Sequence, residues 1–143
     1  MNRMIFVNLP VTDLAKSIAF YEAIGAAADP HFRDENTQMM RISDEICVML
    51  LNHARFQGFT SRRIPNAHET AQVLLCLSCG SRAEVDDTTG KAAGAGGEAD
   101  PNPKQEHGDF MYGRSFADPD GHIWELVWMD VAAAMNAGAQ ASA

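Results

Sequence analysis

Apolar residues in the first half of the chain follow the spacing of a strand, a helix and a hairpin. The run Met4–Val11 is apolar and predicts a strand. Apolar residues recur at helical spacing over Leu14–Ile24, with Thr12-Asp13 as capping residues before the helix and Gly25 as a left-handed cap after it. The hairpin that follows has strands predicted at Gln38–Ile42 and Ile46–Leu51.

The second half of the chain repeats this order. Val73–Cys79 predicts a strand, and Ser81 caps a weaker helical pattern that ends in the Gly/Ala-rich stretch Gly90–Gly97. The residues Asp118–Gly121 are typical of a tight turn and join two further strands. These strands are predicted at Phe110–Phe116 and His122–Trp128. Because both halves predict strand, helix and hairpin, we expect an α+β fold made of two copies of one unit.

Composition and charge narrow the class of protein. The chain has 143 residues, 46% of them hydrophobic and 21% charged, which is typical of one globular domain. Its formal net charge of −8 repels phosphate backbones and anionic membranes, so we expect neither a nucleic-acid nor a membrane partner. No apolar run approaches the roughly 20 residues that span a bilayer, and the N-terminus has no signal-peptide pattern. We therefore expect a cytoplasmic location.

The three cysteines also fit a reducing compartment, because their number is odd. Cys76 and Cys79 have the Cys-x-x-Cys spacing that redox and zinc sites use. However, both lie in the predicted strand, where residues three apart point to opposite faces and are about 10 Å apart, too far for a disulfide. We therefore expect both to be buried structural residues.

Two stretches of sequence resemble the signatures of the vicinal oxygen chelate superfamily, which includes glyoxalases, bleomycin resistance proteins and extradiol dioxygenases. The first stretch is Val7–Gly25, with the sequence VNLPVTDLAKSIAFYEAIG. The second is Phe116–Leu126, with the sequence FADPDGHIWEL. The resemblance implies two βαβββ modules that form a U-shaped mixed sheet around a cup, often in a homodimer. The chain is thus expected to be a divergent member of this superfamily.

The same resemblance implies how the chain is divided. A single domain is expected over residues 1–131, with a first module at about 1–60 and a second module at about 70–131. The remaining residues, 132–143, form a small-residue tail that we expect to fray.

Members of this superfamily that use a metal ion hold it with His, Gln or Glu side chains on four strands. The residues at those positions here are Phe6, Met49, Leu74 and Glu125, of which only Glu125 is of a ligand type. Catalytic metal sites usually keep three protein ligands. We therefore expect no cofactor, and a divalent metal is disfavoured. The histidines do not restore a ligand set by their spacing; they are His31, His53, His68, His107 and His122.

The inward faces of the predicted strands supply the candidate site. Glu125 is the candidate catalytic residue, acting as a base, as a hydrogen-bond acceptor, or as the ion-pair partner of Arg41 or Arg114. Tyr112 and Arg114 share one face of their strand, where they either orient an anionic ligand or form a cross-strand hydrogen bond or ion pair. The expected ligand-binding residues are Phe6, Asn8, Met49, Leu74, Cys76, Tyr112, Arg114 and Glu125.

Three functions remain open on this sequence. The first is a metal-free cup that binds a small organic molecule, as the bleomycin-resistance type does. The second is a glyoxalase-like lyase or isomerase, similar to a lactoylglutathione lyase, which depends on a metal or uses Glu125 as its base. The third is a structural or partner-binding domain whose cup is filled by Phe6, Met49 and Leu74. The departures from the family's ligand pattern favour the first.

Overall fold

A computed structural model describes residues 2–142, with side chains described as far as Asn136. Met1 and Ala143, which begin the predicted domain and end the predicted tail, lie outside the described residues. The chain divides into two compact units, one formed by the residues up to Ala71 with Asp118–His122, the other by Gln72–Ala117 with the residues from Ile123 onward. The predicted arrangement as a single domain of 1–131 stays a prediction.

The first unit has the order strand, helix and three strands, followed by a short helix. Its sheet has the strand order β1-β4-β3-β2, in which β1 pairs with β4 in parallel and the other pairs are antiparallel. The elements are β1 (Ile5–Val11), α1 (Leu14–Ala23), β2 (Ala27–Asp34), β3 (Thr37–Arg41), β4 (Ile46–Asn52) and α2 (His53–Gln57).

The second unit repeats this order with one additional strand. Its sheet has the order β5-β9-β8-β6, with β5 parallel to β9, and β7 also pairs with β8. Two mixed sheets with helices confirm the predicted α+β class. The elements are β5 (Leu75–Ser78), α3 (Arg82–Gly94), β6 (Glu98–Ala99), β7 (Gln105–His107), β8 (Met111–Ala117), β9 (Ile123–Met129) and α4 (Val131–Ser142).

The predicted capping residues lie at the helix ends: Asp13 and Ser81 precede α1 and α3, and Gly25 follows α1. The Asp13 carboxylate accepts a hydrogen bond from the Lys16 amide at 3.1 Å, and Ser81 caps α3 through the Glu84 amide at 3.1 Å. Gly25 follows α1 with φ of +106°, a left-handed conformation that glycine adopts without steric cost. Helix α3 continues through Gly90 and ends at Gly94, so the glycines within the stretch do not all lie in a loop.

Strand β2 is absent from the pattern prediction. Its sequence, AADPHFRD, shows neither an apolar run nor clean alternation, and it contains a proline. It lies at the end of the first sheet and pairs with β3 through a register shift between Ala28 and Arg33. An edge strand tolerates both features because only one of its sides is hydrogen-bonded.

One face of the first sheet packs on α1. Leu9 and Leu50 are buried on this face, as are Phe20 and Tyr21 of the helix. The aromatic rings of Phe20 and Tyr21 pack edge to face with centroids 5.1 Å apart. These contacts remove the apolar face of α1 from water and form the core of the unit.

A buried carboxylate holds the segment Asp118–His122 in the first unit. Asp118 is 2% exposed and accepts hydrogen bonds from the Tyr21 hydroxyl at 2.7 Å and from the amides of Asp120 and His122 at 3.0 and 2.9 Å. Burial raises the pKa of Asp118 above its ordinary value, while the nearby His122 and these hydrogen bonds oppose that shift.

The neighbouring turn residues are also held closely. The Asp120 carboxylate accepts hydrogen bonds from the Thr12 amide at 3.0 Å and the Thr12 hydroxyl at 2.8 Å. Gly121 has φ of +91°, and a Cβ atom there would lie 2.6 Å from the His68 amide nitrogen. Both the conformation and the space therefore require glycine at this position.

In the second unit, a charged network joins the sheet to α3. Arg114 donates to both carboxylate oxygens of Asp100, at 3.0 and 2.7 Å, and to Asp86 at 2.9 Å. The Tyr112 hydroxyl also donates to Asp86, at 2.6 Å. Hydrogen bonds from Tyr112 and then Arg114 lower the pKa of Asp86, and hydrogen bonds from Arg114 lower that of Asp100.

Helix α4 covers most of the predicted tail. Whether this segment frays stays a prediction. Within residues 2–142, none of the helices combines the length and apolar character that crossing a bilayer requires.

Replacing Tyr21 by Phe should lower the free energy of unfolding by about 2 kcal/mol, because it removes a hydrogen bond to a buried carboxylate. Urea denaturation measures this loss. The control is Tyr112→Phe, where the partner Asp86 is 54% exposed and can bind water instead, so a loss below about 1 kcal/mol is expected. An equal or larger loss in the control would contradict the importance of the buried Asp118.

Replacing Arg114 by Met should make stability less sensitive to acid. Asp86 and Asp100 keep lowered pKa values in the folded state, so the unfolded chain binds more protons below about pH 4 and the wild-type protein loses stability there. Without Arg114 these pKa values rise, so the free energy of unfolding decreases less between about pH 5 and pH 2. Urea denaturation at several pH values in this range measures how steeply the free energy of unfolding changes with pH. Lys91→Met, which breaks only the exposed pair with Asp87, should leave this pH dependence unchanged.

Candidate functional site

The face of the first sheet that points away from α1 carries three of the predicted ligand-binding residues. Met49 of β4 lies between Asn8 of β1 and Met39 of β3 in the strand register. Phe6 lies on the same face by strand alternation and is 49% exposed. The first unit therefore brings Phe6, Asn8 and Met49 to one surface; alternation predicts this for Phe6 and Asn8, and the register adds Met49.

An open pocket lies on this surface, and we call it the apolar pocket. Its volume is about 470 Å³, within the range of small-molecule sites. Phe32 of β2 is 57% exposed, so the aromatic rings of Phe6 and Phe32 both remain accessible to a ligand. Asn8 is on the face but does not line the pocket. The lining residues are Met4, Phe6, Phe32, Met39, Arg41 and Met49.

Arg41 is the charged group of the apolar pocket. Its Nε donates to Asp29 Oδ2 at 2.9 Å, and its Nη1 donates weakly to Cys47 Sγ at 3.8 Å. The other Asp29 oxygen accepts from the His31 amide at 2.8 Å. This amide hydrogen bond, with smaller effects from Arg41, lowers the pKa of Asp29 despite burial, so the carboxylate is ionised at neutral pH.

The sequence analysis missed four lining residues, and the reasons differ. Phe32 belongs to β2, whose pattern does not indicate a strand. Met39 and Arg41 were within a predicted strand, but only the pairing of Met39 with Met49 shows which face they share. Met4 begins the predicted strand and alternates onto the same face as Phe6, so this signal was present in the sequence, although the observed β1 begins at Ile5.

Glu125 lies on the face of the second sheet that points away from Trp124 and Leu126, which are both buried. It pairs with Cys76 of β5 and with Ser115 of β8 in the strand register. Among the described residues, no hydrogen bond or ion pair is made by its carboxylate. Glu125 thus keeps its acceptor oxygens available for other partners.

The two cysteines of the second unit are free, and they differ in burial. Cys76 is exposed and Cys79 is intermediate in burial, so the prediction that both are buried is wrong. Partial burial and the charge of Glu125 raise the pKa of the Cys76 thiol. Burial, together with Glu84 and Cys76, raises the pKa of Cys79 to about 11. Both thiols are therefore protonated at neutral pH and are weak nucleophiles.

The remaining predicted site residues of the second unit are placed apart from Glu125. Tyr112 and Arg114 lie on the opposite face of the sheet, where Asp86 and Asp100 occupy their donors. The hydrogen bonds and ion pairs of the alternative are present, but their partners lie on α3 and just after β6 instead of across strands; a role in ligand binding stays a prediction. Leu74 precedes β5 and is 50% exposed.

The residues at the family's metal positions do not fit a metal ion. Phe6 and Leu74 carry no donor atom, and the Met49 thioether is a poor ligand for the hard or borderline cations that carboxylates bind. Over residues 2–142, no three His, Cys, Asp or Glu side chains are grouped so as to hold a metal. The expected absence of a cofactor stays a prediction, and its chemical basis is this donor set.

A second pocket in the first unit collects three histidines that the sequence analysis treated as scattered, and we call it the histidine pocket. Its volume is about 360 Å³, and its lining includes His53, His68, His122 and Asp120. The His122 Nε2 atom lies 2.8 Å from the Pro10 carbonyl oxygen, so this nitrogen carries a proton and donates it. The pocket is built from segments that are distant in the chain, which is why spacing along the sequence does not indicate it.

Comparisons with known proteins agree with this architecture. Hypothetical protein SA1046 from S. aureus is similar over 90% of this chain and 94% of its own, with 28% identity and a TM-score of 0.73. A glyoxalase-related enzyme from Fulvimarina pelagi is 22% identical, with a TM-score of 0.73 and coverage of 90% of this chain and 88% of that one. A search of curated proteins finds no match.

A bleomycin resistance determinant encoded on the transposon Tn5 has the same fold, with a TM-score of 0.62, 17% identity, and coverage of 90% of this chain and 99% of that one. The family model described as Glyoxalase/Bleomycin resistance protein/Dioxygenase superfamily matches residues 3–126. Because this match runs through both units, the chain belongs to the Glyoxalase/Bleomycin resistance protein/Dioxygenase superfamily.

Proposed function

We propose that this protein binds a small, mainly apolar organic molecule in the apolar pocket of its first unit. The observation that carries the proposal is an open volume of about 470 Å³ bounded by methionine and phenylalanine side chains, with Arg41 as its single charged residue. Small-molecule sites combine apolar walls with a few polar groups in this way.

The energetics of the pocket walls support binding. Phe6 and Phe32 are about half exposed, so each presents aromatic surface that a ligand would remove from water. Met39 and Met49 face each other across β3 and β4, and flexible thioether side chains adapt to ligands of different shape. The pocket therefore suits a compact hydrophobic or aromatic body.

We propose that binding proceeds without a catalytic metal. The side chains at the family's metal positions in the first unit, Phe6 and Met49, line the apolar pocket instead of offering oxygen or nitrogen donors. A hydrophobic wall at these positions favours an organic ligand over a hydrated cation.

A glyoxalase-like lyase or isomerase is the second candidate, and one observation favours it. The Glu125 carboxylate is ordered on β9 beside Cys76 without a hydrogen bond or ion pair to the described residues. An unengaged carboxylate can take a proton from a carbon next to a carbonyl group and return it to the neighbouring carbon.

We also propose that the protein acts in the cytoplasm as a homodimer. Its three cysteines are all free, as expected in a reducing compartment. The strands β1 and β5 are each at the end of their sheet, with Ile5 of β1 exposed and Val73 exposed just before β5, and exposed apolar edges favour association with a second copy.

Replacing Phe6 by Ala should weaken binding of the neutral fluorescent probe N-phenyl-1-naphthylamine about tenfold. Losing about 60 Å² of aromatic contact at about 25 cal/mol per Å² accounts for this change. A fluorescence titration measures the dissociation constants. The control is Phe59→Ala, because Phe59 is an exposed phenylalanine of the same unit outside the apolar pocket. Equal affinity in the two variants, or no binding to the wild-type protein, would reject the pocket as the site.

If the protein is a lyase, replacing Glu125 by Gln should lower turnover at least about 100-fold with little change in stability. The assay follows isomerisation of the hemithioacetal that methylglyoxal forms with glutathione. Glu98→Gln, an exposed glutamate of the same unit, should keep full activity. Unchanged turnover in Glu125→Gln would exclude this residue as the base, and no turnover by the wild-type protein would exclude the lyase function.

A further inference from the structure

Arg41 is held in the apolar pocket with part of its hydrogen-bonding capacity unused. Its pairing with Asp29 uses Nε alone, although arginine commonly binds a carboxylate through two nitrogens. Asp29 turns its second oxygen to the His31 amide instead. The terminal Nη1 and Nη2 atoms therefore keep donors that no strong acceptor among the described residues occupies, apart from the weak contact of Nη1 with Cys47.

The position of Arg41 makes these donors accessible. Its side chain is 40% exposed, whereas that of Asp29 is 8% exposed. The guanidinium group is planar and rigid, and holding its Nε fixes the direction of its terminal edge. Arg41 borders the apolar pocket beside Met39 and Met49, so a bound molecule would meet both an apolar wall and this edge.

The charge balance also bears on the ligand. Both oxygens of the Asp29 carboxylate are engaged within the protein, one by Arg41 and the other by the His31 amide. The chain as a whole has a net charge of −8, so a cationic group at a pocket is a local exception. An anion is thus drawn to this edge rather than to the surface in general.

We propose that the ligand of the apolar pocket is an amphipathic carboxylate, whose apolar body contacts the phenylalanine and methionine side chains and whose carboxylate binds the terminal edge of Arg41. This inference rests on the proposed function, because it names the class of molecule for the same pocket. The carboxylate accepts two parallel hydrogen bonds from Nη1 and Nη2, which is the geometry that guanidinium groups favour.

The experiment compares 4-phenylbutyrate with 4-phenylbutyramide, which share one hydrocarbon body and differ in charge. Each ligand displaces N-phenyl-1-naphthylamine from the wild-type protein, and the displacement gives its dissociation constant. We expect the carboxylate to bind about tenfold more tightly than the amide, since a hydrogen bond to a charged group is stronger than one between neutral groups.

Two variants assign this preference to Arg41. In Arg41→Gln the ratio of the two affinities should fall to about one, and in Arg33→Gln, which removes an equal charge from outside the pocket, it should stay at about ten. The double variant Asp29→Asn/Arg41→Gln leaves no unpaired carboxylate, and it should also lose the preference if the single variant is unstable. Thermal denaturation monitored by circular dichroism checks that each variant is folded.

The outcomes separate the two proposals. If neither ligand nor the probe binds the folded wild-type protein, the proposed function fails. If the probe and both ligands bind but the carboxylate has no advantage, or if Arg41→Gln keeps that advantage, the pocket stands and the assignment of an anionic ligand to Arg41 is overturned.

Discussion

The buried carboxylate of Asp118 is the constraint on which the first unit depends. Its two oxygens satisfy the Tyr21 hydroxyl and two amides of the segment that follows it, so a remote stretch of sequence is held against α1. A buried polar group is costly unless it is hydrogen-bonded, so these three donors offset the cost of burying the Asp118 side chain. Gly121 completes the arrangement, since any larger residue would meet the backbone at His68.

Packing of α1 on one face of the first sheet leaves the opposite face available for binding. Leu9 and Leu50 point towards the helix and form the core, so by alternation Phe6 and Met49 point away from it. Side chains on the core face are covered by α1, whereas on the other face Phe6 stays about half exposed and lines the apolar pocket. The binding surface is therefore a consequence of how the hydrophobic core is made, and a change of one residue in register would exchange the two faces.

Each unit has an arginine on a strand next to an edge strand, Arg41 on β3 and Arg114 on β8, but the two side chains have different partners. Arg114 is engaged on several sides by Asp100 and Asp86, which is the arrangement of a structural ion-pair network. Arg41 has one carboxylate partner, at Nε, and borders an apolar cavity. A guanidinium group with spare donors next to hydrophobic walls is suited to a ligand that is itself amphipathic.

The sequence by itself determined the strand, helix and hairpin that recur in both units, the helix caps, the tight turn at Asp118–Gly121 and the superfamily, because these depend on local pattern and on short motifs. Alternation also predicted that Phe6 and Asn8 share a face, since it requires only that a strand be recognised, and the family resemblance added Met49 to the candidate site. It could not indicate β2, whose edge position tolerates an irregular sequence, and Phe32 was missed with it. The partners of Arg41 and Arg114, the exposure of Cys76 and the grouping of three histidines were decided only by tertiary structure. These features bring together residues from different parts of the chain. Local spacing does not indicate which acidic side chain an arginine will bind, or which segments will line a pocket.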